Sequence, residues 1–299
     1  MNSSSVGVVV VTYNAGDHLL KAVRCVREQA IPEVVVVDNG SADGSVEALL
    51  GADPDVRVVR PGRNLGYGAG ANRGASACGA GAAYLLVCNA DVDLEPGAVE
   101  SMAAVLDADA RLAIVGPRIE NPDGSLYPSA RTFPALGDAL GHAALGLMAP
   151  RNRFTRRYRM LDWDHSAPAE VDWVSGACML ARRSAFDELG GFDEAYFMYL
   201  EDVDLCWRAR RAGWRVAYQP GARVVHAQGV STDQHPYRMI VAHHRSMLRF
   251  SVRSTRGWGR LVLPLVAVGL VGRTALACLH RMAAGARGRH AVPVPGEGR

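Results

Sequence analysis

Four short strand-like segments, each followed by a stretch with helical spacing, restrict this chain to a narrow set of folds. Residues 6–11 form a Val-rich run, residues 33–38 and 84–88 repeat the pattern, and residues 56–60, which include Arg57, read as a further strand. Runs without alternation belong to strands buried on both faces. Between them, residues 18–29 place Leu19, Leu20, Val23 and Val26 on one side of a helix. Residues 45–50, 69–78 and 95–107 read as three more helices, the last with Pro96 in a first turn that tolerates it. Repeated β-α units of this length predict an α/β fold: a doubly wound, mostly parallel sheet with helices on both faces. Ligands in such sheets bind beyond the carboxyl ends of the strands. The polar clusters fall there: Thr12-Tyr13-Asn14, Asp38-Asn39-Gly40-Ser41 and Asn89-Ala90-Asp91.

Charge divides the chain. Lys and Arg number 33 against 30 Asp and Glu, a net +3 that argues against a nucleic-acid binder. Residues 236–299 hold 11 Arg, no Lys and one acid, Glu297, hence +10, which leaves −7 on the first 235 residues. An acidic body with a basic tail points to a polyanionic surface. The six cysteines are scattered with no CxxC pair, as expected in a reducing compartment. Residues 1–5 are polar and lack an apolar h-region, so no secretory leader is expected. Nothing in the composition bears on oligomeric state.

Four segments carry chemistry-bearing residues. Asp38 to Ser45 closes the second run and opens a helix; turn and cap duties explain its Asp and Ser residues, and so does contact with a base or ribose. The glycine-rich stretch from Asn64 through Gly66 and Asn72 to Gly74 misses the GxGxxG pattern in both registers and follows the third strand, which excludes a Rossmann dinucleotide site. Its glycines suit close backbone approach. Asn89-Ala90-Asp91-Val92-Asp93 places carboxylates past a buried strand, as a hard divalent cation requires or as a generic acidic turn would. Glu201, Asp202 and Asp204 crowd three acids into four positions beside an apolar run. Glu201 and Asp202 fall at the start of a helix over 203–212, where the macrodipole favours an ionised group able to act as a general base or as a cap. His226 ends a Val-Val-His strand, where imidazole can ligate metal.

The order of these segments, with Gly191-Phe192-Asp193-Glu194, resembles the family 2 glycosyltransferases, and within them the bacterial rhamnosyltransferase-type members, over residues 6–250. The resemblance implies a GT-A fold and an inverting, metal-dependent transfer from a nucleotide-diphospho-sugar donor. It assigns Thr12, Tyr13, Asn14, Asp38, Asn39 and Ser41 to the nucleotide, with Asn64, Gly66 and Asn72 lining the same pocket. Asn89 and Asp91 match the metal motif, whose first acid is Asn here, and His226 matches its late histidine, so Asp91 and His226 would hold Mg²⁺ or Mn²⁺. Trp173 and Gly176 match the donor-sugar stretch. Asp202 matches the base of the Glu-Asp motif, with Glu201 beside it. The donor this implies is dTDP-rhamnose and the acceptor a lipid-linked or cell-envelope glycan. A UDP-sugar-dependent hexosyl- or galactofuranosyltransferase is the alternative within the family, and a nucleotidyltransferase lies outside it. A nucleotidyltransferase calls for a basic, glycine-rich loop after the first strand, and residues 12–17 have one glycine and no basic residue.

Three regions follow: a catalytic domain over 1–235, a helical membrane-associating region over 236–282, and a disordered tail over 283–299. Residues 121–170 read as an irregular surface excursion or an acceptor-binding lid. Arg238, Arg245, Arg249, Arg253, Arg256 and Arg260 recur at spacings that place all six on one side of a helix. Such a helix suits an anionic membrane surface. Residues 261–272 form an uncharged apolar run ended by Arg273, shorter than the roughly 20 residues that span a bilayer. The expectation is a peripheral anchor on the cytoplasmic face of the cell membrane.

Overall fold

The computed structural model describes residues 5–79, 81–133, 160, 163–230 and 234–289, in two compact units divided between Gln234 and His235. The first unit opens with β1 (Val6–Thr12), α1 (Asp17–Glu28), β2 (Glu33–Asp38), α2 (Ser45–Ala52), β3 (Arg57–Val59) and α3 (Tyr67–Ala77). It continues with β4 (Tyr84–Asn89), β5 (Val92–Leu94), α4 (Ala98–Ala108), β6 (Leu112–Glu120), β7 (Leu126–Tyr127) and β8 (Ala130–Arg131). After the segment that begins at residue 134 come β9 (Ala169–Val171), β10 (Trp173–Val174), β11 (Cys178–Arg182), α5 (Arg183–Glu188), α6 (Glu201–Arg211) and β12 (Arg215–His226).

The main sheet runs β3-β2-β1-β4-β11-β6-β12-β5. β1 pairs in parallel with β2 and β4, as β2 does with β3 and β6 with β12, while β11 lies antiparallel between β4 and β6. All seven residues of β1 are buried, as its unbroken Val run requires. α1 turns Leu19, Ala22, Val23 and Val26 inward, and each fully buried Leu or Val adds about 1.5–3 kcal/mol. α3 reaches β1 and β2 because it is built from small residues. A Cβ on Gly74 would meet Val9 Cγ1 at 2.2 Å and Val37 Cγ2 at 2.9 Å.

Three details depart from the sequence expectation. α4 starts at Ala98, after Gly97 at φ 78°, so Pro96 precedes the helix instead of occupying its first turn. The acidic turn after β4 leads into β5, whose partner is β12 in the antiparallel register Val224↔Leu94 to His226↔Val92. A three-residue strand paired far along the chain leaves no periodicity to read. β12 is one long strand whose register shifts between Gln219 and Arg223, around Pro220 and Gly221. Of the 121–170 excursion, residues 134–159, 161 and 162 lie outside the described residues. The described part forms β7, β8 and β9 and sets Trp163 against Tyr218, ring centroids 5.1 Å apart.

The second unit holds α7 (Pro236–Ser254), a 3₁₀ turn (Gly257–Val262) and α8 (Leu263–Arg289). α7 ends at Ser254, with Thr255 extended and Gly257 at φ 56°, so Arg256 and Arg260 leave the helical stripe that the spacing predicted. Arg238, Arg245, Arg249 and Arg253 remain on α7, all exposed. α8 continues through Arg289, so residues 283–289 are helical, not a disordered tail; residues 290–299 lie outside the described residues. α7 and α8 pack against one another. Among the described residues one candidate span, Gly257–Ala283, is long and apolar enough to cross a membrane. Leu265, Val268, Val271, Leu276, Leu279 and Met282 on α8 are all more than half exposed.

Candidate active site

Two poles assemble at the carboxyl end of the parallel strands. β4 and the turn after it deliver Asn89 and Asp91, and the end of β12 delivers His226. His226 Nε2 lies 3.1 Å from Asp91 Oδ1 and 3.2 Å from Asn89 Nδ2. The β5–β12 pairing produces this approach, because it seats His226 opposite Val92, the residue after Asp91. Asp93 points elsewhere and binds Lys21 at 2.6 Å. Among the described residues no group of three or more His, Cys, Asp or Glu assembles around one point. The two-ligand pair nevertheless fits a divalent cation. Two donors about 2.1 Å from one ion on adjacent octahedral positions lie about 3 Å apart, close to the Asp91–His226 separation. A carboxylate oxygen with an imidazole nitrogen favours Mn²⁺ over Mg²⁺.

The second pole is the start of α6. Tyr199 and Leu200 sit in the left-handed region at φ 67° and 63° and turn the chain into the helix. Such geometry costs about 1–2 kcal/mol per non-glycine residue and persists where neighbours enforce it. Enforcement comes from α3 and its entry loop. Asn72 Nδ2 donates to the Phe192 carbonyl at 2.9 Å and to Glu194 Oε1 at 3.1 Å, while its Oδ1 accepts from the Phe192 N–H at 2.9 Å. The Tyr67 N–H donates to the Phe197 carbonyl at 3.0 Å. Gly66, at φ 86°, passes so close that a Cβ there would stand 2.0 Å from the same oxygen.

Asp202 emerges from this clamp with both carboxylate oxygens fixed. Oδ1 accepts from the Val203 N–H and Oδ2 from the Gly176 N–H, each at 2.8 Å. A Cβ on Gly176 would come within 3.1 Å of Asp202 Cβ. Burial pushes the Asp202 carboxyl above the ordinary aspartate range, while the two N–H donors and the Arg131 guanidinium hold it down. Burial, reinforced by the neighbouring Asp202 charge, drives Glu201 well above the usual carboxylate range. Glu201 Oε2 is buried with no hydrogen-bond partner. Of the two carboxyls Glu201 is therefore the harder to ionise, because both Asp202 oxygens have N–H donors and Glu201 Oε2 has none. Tyr67, whose hydroxyl donates to the Gly176 carbonyl, packs beside them.

The poles touch through backbone: the Asn89 N–H donates to the Ala177 carbonyl at 2.9 Å, one residue from Gly176. The remaining predicted residues form the floor of the same end. Asp38 Oδ1 accepts from the N–H groups of Gly40 and Ser41 at 3.1 and 2.7 Å, and its Oδ2 lies 3.6 Å from Arg60 Nε. Asn14, at φ 48°, donates its N–H to Ser41 Oγ at 3.0 Å and accepts from the Ala42 N–H at 2.8 Å. Thr12 Oγ1 is buried without a partner, an acceptor or donor in reserve at the strand end, and Tyr13 follows it. Asn39 ties β2 to the glycine loop through Leu65 and Gly66, and Asn64 Oδ1 accepts from the Gly66 N–H at 2.9 Å. Asn39, Asn64 and Asn72 thus use their amides on loops. For Asn72 this differs from the pocket-lining role the resemblance implied, because both ends of its amide hold the 192–194 segment. Trp173 is buried, with Nε1 donating to the Thr132 carbonyl at 3.0 Å.

Sequence reasoning missed Tyr67 and Arg131. A single large aromatic in a Gly/Ala helix was a readable sign for Tyr67. Arg131 lies in an irregular stretch with no pattern to mark it.

Comparison with known proteins bears on the family and the fold. The glycosyl transferase family 2 model matches residues 7–190, and a second model, glycosyl transferase family group 2, matches 149–282. The chain is 42% identical over 270 residues to the N-acetylglucosaminyl-diphospho-decaprenol L-rhamnosyltransferase of Mycobacterium tuberculosis, covering 86% of this chain and 87% of that one. It is 38% identical over 137 residues to the rhamnosyltransferase WbbL of Escherichia coli, covering 44% of this chain and 49% of that one. A mannosyltransferase from Pyrobaculum calidifontis, solved with GDP-Man and Mn²⁺, superposes with TM-score 0.54 at 17% identity, over 95% of this chain and 79% of that one. GalNAc-T7, solved with UDP, GalNAc and Mn²⁺, gives TM-score 0.56 at 18% identity over 76% of this chain and 44% of that one. The last two are likenesses of fold, the GT-A arrangement. Taken with the order and placement of its motifs, these matches make the chain a member of glycosyl transferase family 2.

Proposed function

We propose that this chain transfers L-rhamnose from dTDP-rhamnose to a hydroxyl of a prenyl-diphosphate-linked N-acetylglucosamine, with inversion at the anomeric carbon. The observation that carries the reading is Asp202, gripped by two N–H donors, one of them from Gly176, whose neighbour Ala177 accepts from the backbone of Asn89, the residue whose amide meets His226. The mycobacterial relative, an N-acetylglucosaminyl-diphospho-decaprenol L-rhamnosyltransferase, supports the choice of donor sugar and acceptor.

Each residue has a task. Thr12, Asn14 and Asp38 hold the nucleoside at the strand ends, and Asp91 with His226 would hold the divalent cation. When bound, that ion supplies positive charge to the leaving diphosphate. The acceptor hydroxyl attacks the anomeric carbon from the face opposite the diphosphate. Its oxygen–carbon bond forms as the bond to dTDP breaks, and Asp202 takes the hydroxyl proton. No enzyme nucleophile is required, and one displacement inverts the centre. Burial pushes the nearby Cys88 thiol up to about 12, which leaves no thiolate to compete.

The second unit anchors the enzyme at the inner face of the membrane. Its exposed apolar side chains on α8 and exposed arginines on α7 suit an anionic lipid surface. Arg273 falls near the middle of α8, where a charge at the bilayer centre costs about 2.5–3.5 kcal/mol, a term that favours lying on the membrane against the apolar length that would let Gly257–Ala283 cross it.

The test is transfer by the purified protein from dTDP-rhamnose to a short-chain prenyl-diphospho-N-acetylglucosamine, with Mn²⁺ or Mg²⁺, and the product anomer read by NMR. Metal-stimulated formation of the inverted product is expected. Transfer only from UDP-sugars would replace the donor, and nucleotide monophosphate transfer would remove the reading.

A further inference from the structure

Arg131 is the cation that the sequence does not announce. Its guanidinium carbon stands 5.0 Å from the centre of the Trp173 ring and 5.6 Å from that of Tyr127. Its Nε donates to the Pro128 carbonyl at 2.8 Å and an Nη to the Tyr127 hydroxyl at 3.3 Å. The bracket is itself fixed. β8 and β10 pair antiparallel with Trp173 opposite Arg131, and Trp173 Nε1 is bonded to Thr132. Stacking two aromatic faces on a guanidinium holds its plane and strips water from it without removing its charge.

The location is informative. The Tyr127 ring meets His226 edge-on, centroids 6.4 Å apart, so one side of the bracket rests on the metal-ligand pole. The other side, Trp173, lies three residues before Gly176, whose N–H grips Asp202. The guanidinium therefore sits against the ring that meets His226, near enough to the second pole for its charge to be felt at the Asp202 carboxylate. This end of the sheet gathers the carboxyls of Asp38, Asp91 and Asp202, a poor reception for a diphosphate. A rigid planar cation among those acids answers that need, since its fork matches two phosphate oxygens.

We propose that Arg131 binds a diphosphate of the reacting substrates, with Tyr127 and Trp173 holding its guanidinium ready. The proposal rests on the transfer reaction proposed above, which brings two diphosphates to the site: the donor's and the lipid-linked acceptor's.

The test compares wild type, R131K and R131M by steady-state kinetics with each substrate varied in turn, and by thermal shift with dTDP. R131K keeps charge and stem but loses the fork; it also serves as the working variant if R131M does not fold. The expected result is a tenfold or larger rise in one KM for R131K, with the other KM within twofold. A rise in the donor KM, with loss of the dTDP-induced shift, identifies the nucleotide diphosphate. A rise in the acceptor KM with that shift intact identifies the lipid diphosphate. Both KM values within twofold of wild type would overturn the proposal. So would a fall in kcat alone with a displaced acid limb, which would mean that Arg131 acts through Asp202. Absence of transfer by wild type would refute the reaction itself, and the dTDP shift would then judge Arg131 for the nucleotide alone.

Discussion

Replacing Asp202 by Asn separates the chemistry of the site from its architecture. Both oxygens of Asp202 accept backbone N–H groups at 2.8 Å. An Asn side chain has one oxygen, so its NH₂ must face either the Gly176 or the Val203 N–H. Loss of one hydrogen bond to a charged group costs about 1.5–3 kcal/mol. Removing a carboxylate that burial disfavours offsets part of that. A net change near 1 kcal/mol shifts the melting temperature by about 2–4 °C in a chain of this size. The rate should respond far more, because a positioned general base contributes about 10²–10⁴-fold. The assay pairs single-turnover release of dTDP with donor binding and a thermal melt. Asp202→Asn should lose at least a hundredfold in rate while binding dTDP as wild type does. In wild type, activity should fall as pH drops through the Asp202 pKa, on an acid limb above the ordinary 3.8. A folded Asp202→Asn variant within tenfold of wild type would refute Asp202 as the base.

Four further outcomes follow from the same geometry. Glu201 holds a proton in the folded state that the unfolded chain releases above 4.5, so its contribution to stability is whole below pH 4.5 and declines as pH rises through its raised folded value. Glu201→Gln should therefore gain on wild type by about 1.4 kcal/mol per pH unit above 4.5 until the folded Glu201 ionises; a pH-independent gap in denaturant melts would contradict this. Gly66→Ala places a Cβ 2.0 Å from the Phe197 carbonyl oxygen at φ 86° and should destabilise by about 2 kcal/mol or more, read as a lowered denaturation midpoint. Asp91→Ala or His226→Ala should abolish the Mn²⁺-dependent part of the thermal shift given by dTDP, each read against that variant's own metal-free melt; a Mn²⁺-dependent shift of wild-type size in both would remove the pair as metal ligands. Replacing Leu265 and Val268 by Ser should reduce co-sedimentation with phosphatidylglycerol vesicles, and high salt should weaken binding of the wild type as charge screening requires.

The sequence made the frame and the polar groups of the candidate site legible for a physical reason. Unbroken Val runs announce two-sided burial, and polar residues at their ends mark the edge where ligands bind in such sheets. The acids at 201 and 202 and the imidazole at 226 stood out because such groups are costly near apolar runs, and the structure brings them to that edge. What stayed hidden depends on partners far along the chain. Asn72 looks like a pocket amide until the 192–194 segment is placed against it. β5 is too short to show a period, and only its pairing with β12 brings His226 to Asp91. Arg256 and Arg260 continued the arginine spacing, yet Thr255 and Gly257 end the helix before them. Arg131 gains its setting from two rings, and nothing in its neighbours along the chain foretells either.

β11 is the one strand at the centre of the sheet that runs against its neighbours, with Cys178 opposite Cys88. Every parallel strand leaves the sheet at the binding edge, whereas β11 enters there, so the residues preceding it arrive beside those that follow β4. The spacing of the Asn89–Asp91 turn from the Gly176 segment that holds Asp202 is thus written in the pairing of two strands. A slip of two residues along that ladder would displace Gly176 by about 6.8 Å relative to Asn89, farther than any hydrogen bond could follow. Alignment of the reacting groups is therefore inherited from the interior of the protein, and buried side chains such as Cys88 and Met179, which touch no substrate, guard it by fixing the register.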